Sequence, residues 1–371
     1  MANTIKLGNG NWATKEGSLL AYNDENNNFK PLPFTTTRAS SATVVNKQGL
    51  IETVGSGIPR IDFSDNSDGA LLLEGTATNL FTYSEDFSNA SWKKNEATVT
   101  ITNEISPNGT TNNVYNYVGY NSNLYTTSQA SGAEYTISFY VKSNGQGADG
   151  FKFRLGSGYS ASLSATSEWV RHTFTATPAT NVFSITSDGV GDVNILVWGA
   201  QLEANSYATS YIKTVGTTQT RVADTASGSG NSTVINSTEG VLYVEASTLV
   251  NGQNGRITIS DGTLTNRVSI EWDILANTIK AFTGIDGNLS TSSYDQSLNN
   301  KIAVAYKQND LRMFINGVKI GVDLSTSTLS SMDRIDLSNY DNTNFFYGKT
   351  KSVQVYTTAL SDAELTTLTT I

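Results

Sequence analysis

Residues 135–141 read YTISFYV, and residues 151–155 read FKFRL. In both stretches apolar side chains recur at every second position, and this period is typical of a β-strand with one buried face. The pattern returns in residues 169–174, WVRHTF, while Asn-Gly and Asp-Gly pairs elsewhere favour tight turns. The sequence therefore predicts an all-β fold of antiparallel strands.

The composition of the 371-residue chain agrees with this prediction. Only 15% of the residues are charged and 38% are hydrophobic, a balance that suits short strands and polar turns. The 17 Tyr, 14 Phe and 5 Trp supply apolar surface that disordered chains lack. A chain of this length usually forms more than one hydrophobic core, so we expect two domains.

Charge and cysteine content exclude several classes of protein. The 33 acidic residues outnumber the 24 basic ones, which gives a formal net charge of −9, and an acidic surface repels nucleic acid. The absence of cysteine excludes disulfides and thiolate metal sites. The sequence contains no apolar window of about 18 residues, so we expect neither membrane insertion nor a signal peptide.

The strand pattern divides the chain into four predicted segments. Residues 1–75 hold short extended stretches with apolar residues at intervals, and they predict an extended docking arm. Residues 76–216 and 237–371 hold the alternating stretches and predict two β-sandwiches. Residues 217–236 include the string TASGSGNS, which has the composition of a flexible linker. A capping box at Ser361 predicts a short C-terminal helix.

Several strings resemble proteins of bacteriophage particles. Residues 34–92, which include RASSAT, GLIE, IPRIDF and GALLLE, resemble a module of phage tail-fibre and head-fibre proteins. Residues 77–87 (ATNLFTYSEDF) and 198–203 (WGAQLE) resemble the two ends of a carbohydrate-binding-module-like jelly roll in such proteins. The ending VQVYTTALSDAEL (353–365) is similar to that of a laminin-G or concanavalin-like sandwich.

The resemblance implies a component of the virion surface, of the fibre, appendage or capsid-decoration kind, assembled in the host cytoplasm. It implies that residues 1–75 dock on other virion proteins, that the chain forms a homo-oligomer, with a trimer favoured, and that the sandwiches bind host-surface glycans. Trp12, outside both predicted sandwiches, is expected to pack on a partner. Two alternatives stay open: a polysaccharide-degrading fibre enzyme, and a structural adaptor that binds no glycan.

The residues themselves favour a protein without catalytic activity. The only histidine, His172, lies within a predicted strand, and we interpret it as structural. A glycosidase needs two carboxylates on either side of the scissile bond. Glu271 and Asp273 share one strand face, but no second glutamate follows them, so we interpret this pair as a solvated strand edge.

A cluster of tyrosines and asparagines is the candidate for glycan binding. Sugars stack their apolar faces on aromatic rings, while amides bind their hydroxyls. Alternation places Tyr115 and Tyr117 on one face of a strand. The predicted glycan-binding residues are Tyr115, Asn116, Tyr117, Tyr120, Asn121 and Tyr125. The alternative, an ordinary sandwich core followed by a polar loop, stays open at this point.

The resemblance also implies a structural metal ion. Jelly rolls of this kind often hold calcium near their first and last strands, where this sequence offers Glu85, Asp86 and Glu203. Carboxylate oxygens suit such a hard cation. Calcium at these three residues is therefore an expectation, and no other cofactor is required.

Overall fold

The computed structural model describes residues 3–20, 32–127, 132–189 and 192–371. Antiparallel strands dominate these residues, which confirms the predicted all-β fold, and none of their helices is long and apolar enough to cross a membrane. In chain order the elements are β1 (Ile5–Gly8), β2 (Ala13–Lys15), β3 (Ser18–Leu20), β4 (Phe34–Thr37), β5 (Ala42–Val45), β6 (Ile51–Val54), β7 (Arg60–Asp62), β8 (Ala70–Leu73), β9 (Ala77–Asn79), β10 (Lys93–Thr102), β11 (Val114–Thr127), β12 (Tyr135–Ser143), β13 (Gly150–Leu155), β14 (Gly158–Tyr159), β15 (Leu163–Ser164), β16 (Val170–Ala176), β17 (Val182–Ser187), β18 (Asp192–Glu203), β19 (Gln219–Arg221), β20 (Thr225–Ser227), β21 (Glu239–Thr248), β22 (Gly255–Ser260), β23 (Arg267–Trp272), β24 (Ile279–Thr283), β25 (Gly287–Thr291), β26 (Asn300–Lys307), β27 (Asp310–Ile315), β28 (Val318–Asp323), β29 (Arg334–Asp336), β30 (Gly348–Tyr356) and α1 (Asp362–Thr369).

The chain divides into two compact units. Unit 1 consists of Met1–Ser41, Val54–Gly75 and Ala223–Ile371. Unit 2 consists of Ala42–Thr53 and Thr76–Val222. Each unit thus combines segments that are far apart in the sequence, whereas the sequence predicted consecutive domains.

Unit 1 is a sandwich of two antiparallel sheets. The larger sheet has the order β28-β27-β26-β21-β30-β8-β7, with β1 also paired to β30, and the smaller has the order β25-β24-β23-β22-β29. Both sheets contribute to one apolar core, which includes Val244, Trp272 and Val304. The predicted helix α1 is confirmed, together with its reciprocal capping box between Ser361 and Glu364.

The N-terminal residues pair with the C-terminal strand of unit 1. β1 pairs with β30 from Ile5 opposite Val355, and β8 pairs with the same strand at Leu73 opposite Gly348. The described strands of residues 1–75 therefore do not form a separate arm, because all of them pair within the chain. β1, β7 and β8 join the larger sheet of unit 1, β2, β3 and β4 form a smaller sheet with β20, and β5 and β6 pair with each other. Hydrophobic periodicity could not predict that β1 and β8 pair with β30, because it shows that a segment is a strand but not which strand lies next to it.

The apolar residues that suggested a docking surface are buried by other residues of the same chain. Leu19, Phe34 and Leu71 are buried in the core of unit 1. Trp12 packs against the same core, and its indole N–H donates a hydrogen bond to the carbonyl of Asp68 at 2.8 Å. Trp12 therefore has a packing partner within its own chain, contrary to the expected contact with a partner protein.

Residues 217–236, predicted as a linker, contain two short paired strands. β19 pairs with β9 within unit 2, and β20 pairs with β4 within unit 1. Ile235 is buried in the core of unit 1. The glycines that suggested flexibility serve turns instead, because Gly228 and Gly230 adopt positive φ angles of 77° and 101°.

A buried ion network ties the early strands of unit 1 to the residues that follow β19. Arg60 pairs with Glu74 at 2.6 Å and with Asp224, and Arg38 pairs with Asp224 at 2.9 Å. Arg60 is 1% exposed. Burial works to lower the pKa of Arg60, but Glu74 and Asp224 outweigh it and raise that pKa. Each charge depends on the others, since an unpartnered buried charge is strongly destabilising.

Unit 2 is built on a nine-stranded antiparallel sheet with the order β14-β13-β17-β11-β18-β12-β16, to which β10 and β15 add. The first half of β11 pairs with β18 and the second half with β17. Between them, Asn121 has a φ of 45°, and the β10–β11 register shifts between Asn95 and Ala97. Such an irregularity bends a sheet, which here encloses a core containing Phe139 and Phe153.

The ion network gives a testable prediction about the fold. Asp224→Asn leaves Arg60 and Arg38 without a shared carboxylate, so we expect the free energy of unfolding to fall by about 3–5 kcal/mol. The control is Asp65→Asn, since Asp65 is an exposed partner of Lys349 at 2.6 Å, and a surface pair contributes less than about 1 kcal/mol. Urea unfolding measures both. Equal losses would contradict the role given to the network.

Candidate functional site

Two of the six predicted glycan-binding residues lie in the core of unit 2. Tyr115 and Tyr117 share one face of β11, as alternation predicted, and that face is the inner one. The hydroxyl of Tyr117 shares a hydrogen bond with Ser122 at 2.8 Å, and that of Tyr115 donates to Asp86 at 3.0 Å. Burial raises the pKa of both tyrosines. Neither ring therefore offers an open face to a sugar.

Asn116 and Tyr120 occupy positions on the outer face of β11. Asn116 is half-buried and Tyr120 is 62% exposed. Asn116 lies opposite Thr100 of β10 and Leu196 of β18, and Leu196 lies opposite Lys142 of β12. One row of side chains thus crosses four strands. Tyr120 stands four residues along the strand from Asn116, about 13 Å at 3.3 Å per residue.

An open groove of about 600 Å³ runs along this outer face. Lys142 Nζ pairs with Glu104 Oε1 at 2.6 Å on one side. The side-chain amide of Asn144 donates to Oδ1 of Asn116 at 3.1 Å and to Oδ1 of Asn194. The residues that line the groove are Thr102, Asn103, Glu104, Lys142, Ser143, Asn144 and Leu196.

The groove offers hydrogen-bonding groups that neighbouring residues already orient. Each asparagine amide supplies donors and an acceptor, which are the groups that bind hydroxyls. The side chains of Lys142 and Glu104 are 24% and 37% exposed. Partly exposed pairs of this kind add little stability, so both ends can exchange a partner for a bound ligand at small cost. The arrangement suits a small, neutral, polyhydroxylated molecule.

Asn121 and Tyr125 are not brought together with this groove. Asn121 lies at the bend of β11, and Tyr125 follows it on the half that pairs with β17. The ammonium group of Lys93 lies 5.9 Å from the centre of the Tyr125 ring. Their role in glycan binding stays a prediction, separate from that of Asn116 and Tyr120.

Several groove residues were missed by the sequence reasoning. Glu104 follows β10, whereas Lys142 and Asn144 lie at the end of β12 and in the loop after it. Continuing the alternation of YTISFYV (135–141) by one position puts Lys142 on the outer face. Only the register between strands places Lys142 in one row with Asn116, on either side of Leu196, and register does not follow from the pattern of one strand.

The three carboxylates predicted to hold calcium have separate partners. Among the residues that the structure describes, no three Asp, Glu or His side chains converge as metal ligands. The calcium site therefore stays a prediction, and it would require these partners to be exchanged. The partners are Lys213 and Tyr211 for Glu85, Ser88 and Tyr115 for Asp86, and Thr209 for Glu203.

The interpretation of Glu271 and Asp273 as a solvated strand edge is wrong. They are 6% and 7% exposed, and β23 lies between β22 and β24. Glu271 pairs with Arg256, and Asp273 pairs with Lys280. Alternation placed both carboxylates on the outer face, but it could not show that cations of the adjacent strands cover them. Ion pairing of both groups does not favour the acid and nucleophile of a glycosidase.

His172 lies where a structural side chain is expected. Its ring packs edge-on against Phe151, with ring centres 5.1 Å apart. Burial lowers the pKa of His172, which favours the neutral imidazole. The imidazole therefore acts here as a packing group of the sheet.

Comparison with known proteins identifies no family for this chain. No protein-family model matches it, and no curated protein matches it. Among solved structures, the CBM40 module of the Ruminococcus gnavus IT-sialidase bound to α2,3-sialyllactose is 16% identical over 39% of this chain and 94% of that one, with a TM-score of 0.32. Domain 4 of the Geobacillus stearothermophilus arabinanase AbnA, in complex with arabinotriose, is 13% identical over 44% and 83%, with a TM-score of 0.32.

A third match is to domains LG4–5 of the mouse laminin α1 chain, at 11% identity over 65% of this chain and 89% of that one. Its TM-score is 0.26. Scores of this size assign neither a shared fold nor a ligand. The functional interpretation below therefore rests on the residues of this chain.

The contrast between inner and outer tyrosines predicts different effects on stability. Tyr117→Ala removes a fully buried ring from the core of unit 2, and we expect a loss on the order of 3–5 kcal/mol in the free energy of unfolding. Tyr120→Ala changes an exposed residue, and the expected change is within about 0.5 kcal/mol. Chemical denaturation of both variants provides the test. A similar loss in both would place Tyr120 in the core.

Glu203 gives a pH-dependent prediction. Burial raises the pKa of Glu203 above the ordinary glutamate value of 4.5, even though Arg171 and Thr209 favour the charged form. The ionised group therefore lowers stability as the pH rises through that raised pKa, and it has no such effect below about pH 4. We expect Glu203→Gln to raise the melting temperature at pH 7 but not at pH 4. A lower melting temperature at pH 7 would contradict this account.

Proposed function

We propose that this chain is a non-enzymatic attachment protein that binds saccharides in the outer-face groove of unit 2. One observation carries the proposal: Lys142, Glu104 and Asn144 present charged and amide groups along one open groove, and Asn116 orients the amide of Asn144. Saccharide hydroxyls both donate and accept hydrogen bonds, so they match such groups. The volume of about 600 Å³ lies within the range of small-ligand sites.

One aromatic side chain near the groove, and a second farther along the outer face of β11, support the same function. Trp169 is half-buried, and its indole N–H donates to the carbonyl of Ile105 at 2.8 Å, directly after Glu104. Tyr120 is exposed on the outer face of β11. An aromatic ring near amide groups can stack on the apolar face of a pyranose while the amides bind its hydroxyls.

We further propose that saccharide binding attaches a phage particle to its host. This part rests on the resemblance of residues 34–92 to a fibre module, and it includes a homotrimer on the virion surface. Docking on other virion proteins would then use exposed residues of the N-terminal segments, since their apolar residues are buried in unit 1. A structural adaptor without glycan binding and a polysaccharide-degrading enzyme are the alternatives.

A glycan array probed with the full chain tests the saccharide proposal. We expect at least one neutral oligosaccharide to bind, and Asn144→Ala to weaken that binding about tenfold, since it removes amide hydrogen bonds worth about 1.4 kcal/mol. The matched control is Asn95→Ala, an exposed asparagine on β10 that does not line the groove. It should bind like the wild type.

The same experiment separates the alternatives. If no neutral saccharide binds, the groove has no such function and the adaptor alternative is favoured. If a bound oligosaccharide is shortened during incubation, the chain is an enzyme. For the attachment role, soluble wild-type protein should block phage adsorption to host cells, whereas Asn144→Ala should not. Equal blocking by both would contradict a role of the groove in attachment.

A further inference from the structure

Two arginines lie side by side on the outer face of the five-stranded sheet of unit 1. Arg256 of β22 and Arg267 of β23 each donate through Nη1 to Oδ1 of Asn339, at 3.1 and 3.2 Å. The two Nη1 atoms therefore lie within about 6 Å of each other. Phe282 lies beside both guanidinium groups, whose carbons are 5.4 and 5.7 Å from the ring centre. Tyr340 contacts Arg267 at 5.2 Å.

The charges on this face are not balanced at Arg267. Arg256 pairs with Glu271, whereas Arg267 has no carboxylate within 4.0 Å among the residues that the structure describes. The other cations of this face have their own partners, namely Asp273 for Lys280 and Asp336 for Arg334. The face therefore contains one guanidinium without a carboxylate in direct contact, although Glu271 and Asp341 lie near enough to favour its charge.

Burial makes this imbalance costly. Arg267 is 7% exposed, and the Nε atoms of both Arg256 and Arg267 are buried without a hydrogen-bond acceptor. Burial, and then the neighbouring charge of Arg256, lower the pKa of Arg267. A buried charged group is strongly destabilising when its donors lack acceptors and no opposite charge is in contact with it. An anion placed between the two guanidinium groups would remove this cost, and a planar guanidinium is well suited to bind an oxyanion.

The residues around Arg256 and Arg267 favour a saccharide that carries an anionic group, and they do not favour a free anion. The net charge of −9 repels small anions, so a ligand with further contacts has the advantage. The half-buried rings of Phe282 and Tyr340 offer apolar surface for stacking. Across the sheet, Asn288 lies opposite Phe282, and Ser290 lies opposite Lys280. Both are exposed groups that can bind hydroxyls.

We propose that Arg267 and Arg256 form a binding subsite for the carboxylate or sulfate of an acidic saccharide. Asn339 holds both guanidinium groups in place, and Phe282 and Tyr340 flank them. The subsite lies in unit 1 and does not depend on the groove of unit 2. The chain then recognises saccharides by two different chemistries, hydroxyl binding in one unit and acid-group binding in the other.

Calorimetric titration of the full chain tests this subsite. The probes are a hexuronate trisaccharide, its carboxyl-reduced neutral form, a sulfate ester of that neutral form and inorganic sulfate. We expect at least one acidic trisaccharide to bind at least tenfold more tightly than the neutral form, and Arg267→Gln to abolish that difference. The hexuronate and the sulfated sugar distinguish a planar from a tetrahedral oxyanion. Tight binding of inorganic sulfate alone would overturn the saccharide assignment.

Control variants separate this subsite from other effects. Arg154→Gln removes an arginine of unit 2 that stacks on Tyr159, and it should leave binding of the acidic sugar unchanged. Asn144→Ala should also leave the affinity for the acidic sugar unchanged. The proposals for the groove and for the arginine subsite can therefore be tested independently. If Arg267→Gln does not fold, Tyr340→Ala should weaken binding at least threefold. Equal affinity for acidic and neutral sugars in the wild-type chain would overturn the proposal in either case.

Discussion

Strand β30 has two edges, and the pairing of both determines how the chain is organised. One edge pairs with β21, and the other pairs with β1 and β8, which come from the first 75 residues. The early strands are therefore part of the sandwich formed by the last 150 residues or so. The buried pairs of Arg38 and Arg60 with Asp224 join the same segments through side chains. Unit 2 is consequently formed by two segments, Ala42–Thr53 and Thr76–Val222, that lie in the sequence between segments of unit 1.

The sequence predicted the fold class, and it predicted the arrangement along the chain less well. Period-two alternation is local, so it correctly placed Tyr115 and Tyr117 on one strand face and predicted the strands around them. It could not state that this face is the inner one, nor that Thr225–Ser227 pairs with β4 instead of forming a linker. Pairing between distant segments depends on contacts that no single stretch encodes. The capping box at Ser361, which is entirely local, was predicted correctly.

The difference between local patterns and long-range pairing also explains which residues of the candidate sites could be predicted from the sequence. Asn116 and Tyr120 were predicted as sugar-binding residues because tyrosine and asparagine are typical of such sites, and that role stays a prediction. Lys142 and Glu104 could be assigned to the groove only from the register of β12 and the end of β10. In the groove of unit 2, charges of opposite sign are paired and partly exposed. On the outer face of unit 1, Arg267 is buried without a carboxylate in direct contact. A paired, exposed site suits a neutral ligand, and an unpaired, buried cation suits an anionic one.

The account depends most on the claim that the groove of unit 2 binds a saccharide. Hydrogen–deuterium exchange of the full chain, with and without a saturating neutral oligosaccharide found to bind, measures the location of that contact. The account predicts slower exchange in residues 102–104 and 142–144, which line the groove, and unchanged exchange in β22–β24 of unit 1. Slower exchange confined to unit 1, or no change near Asn144, would contradict it.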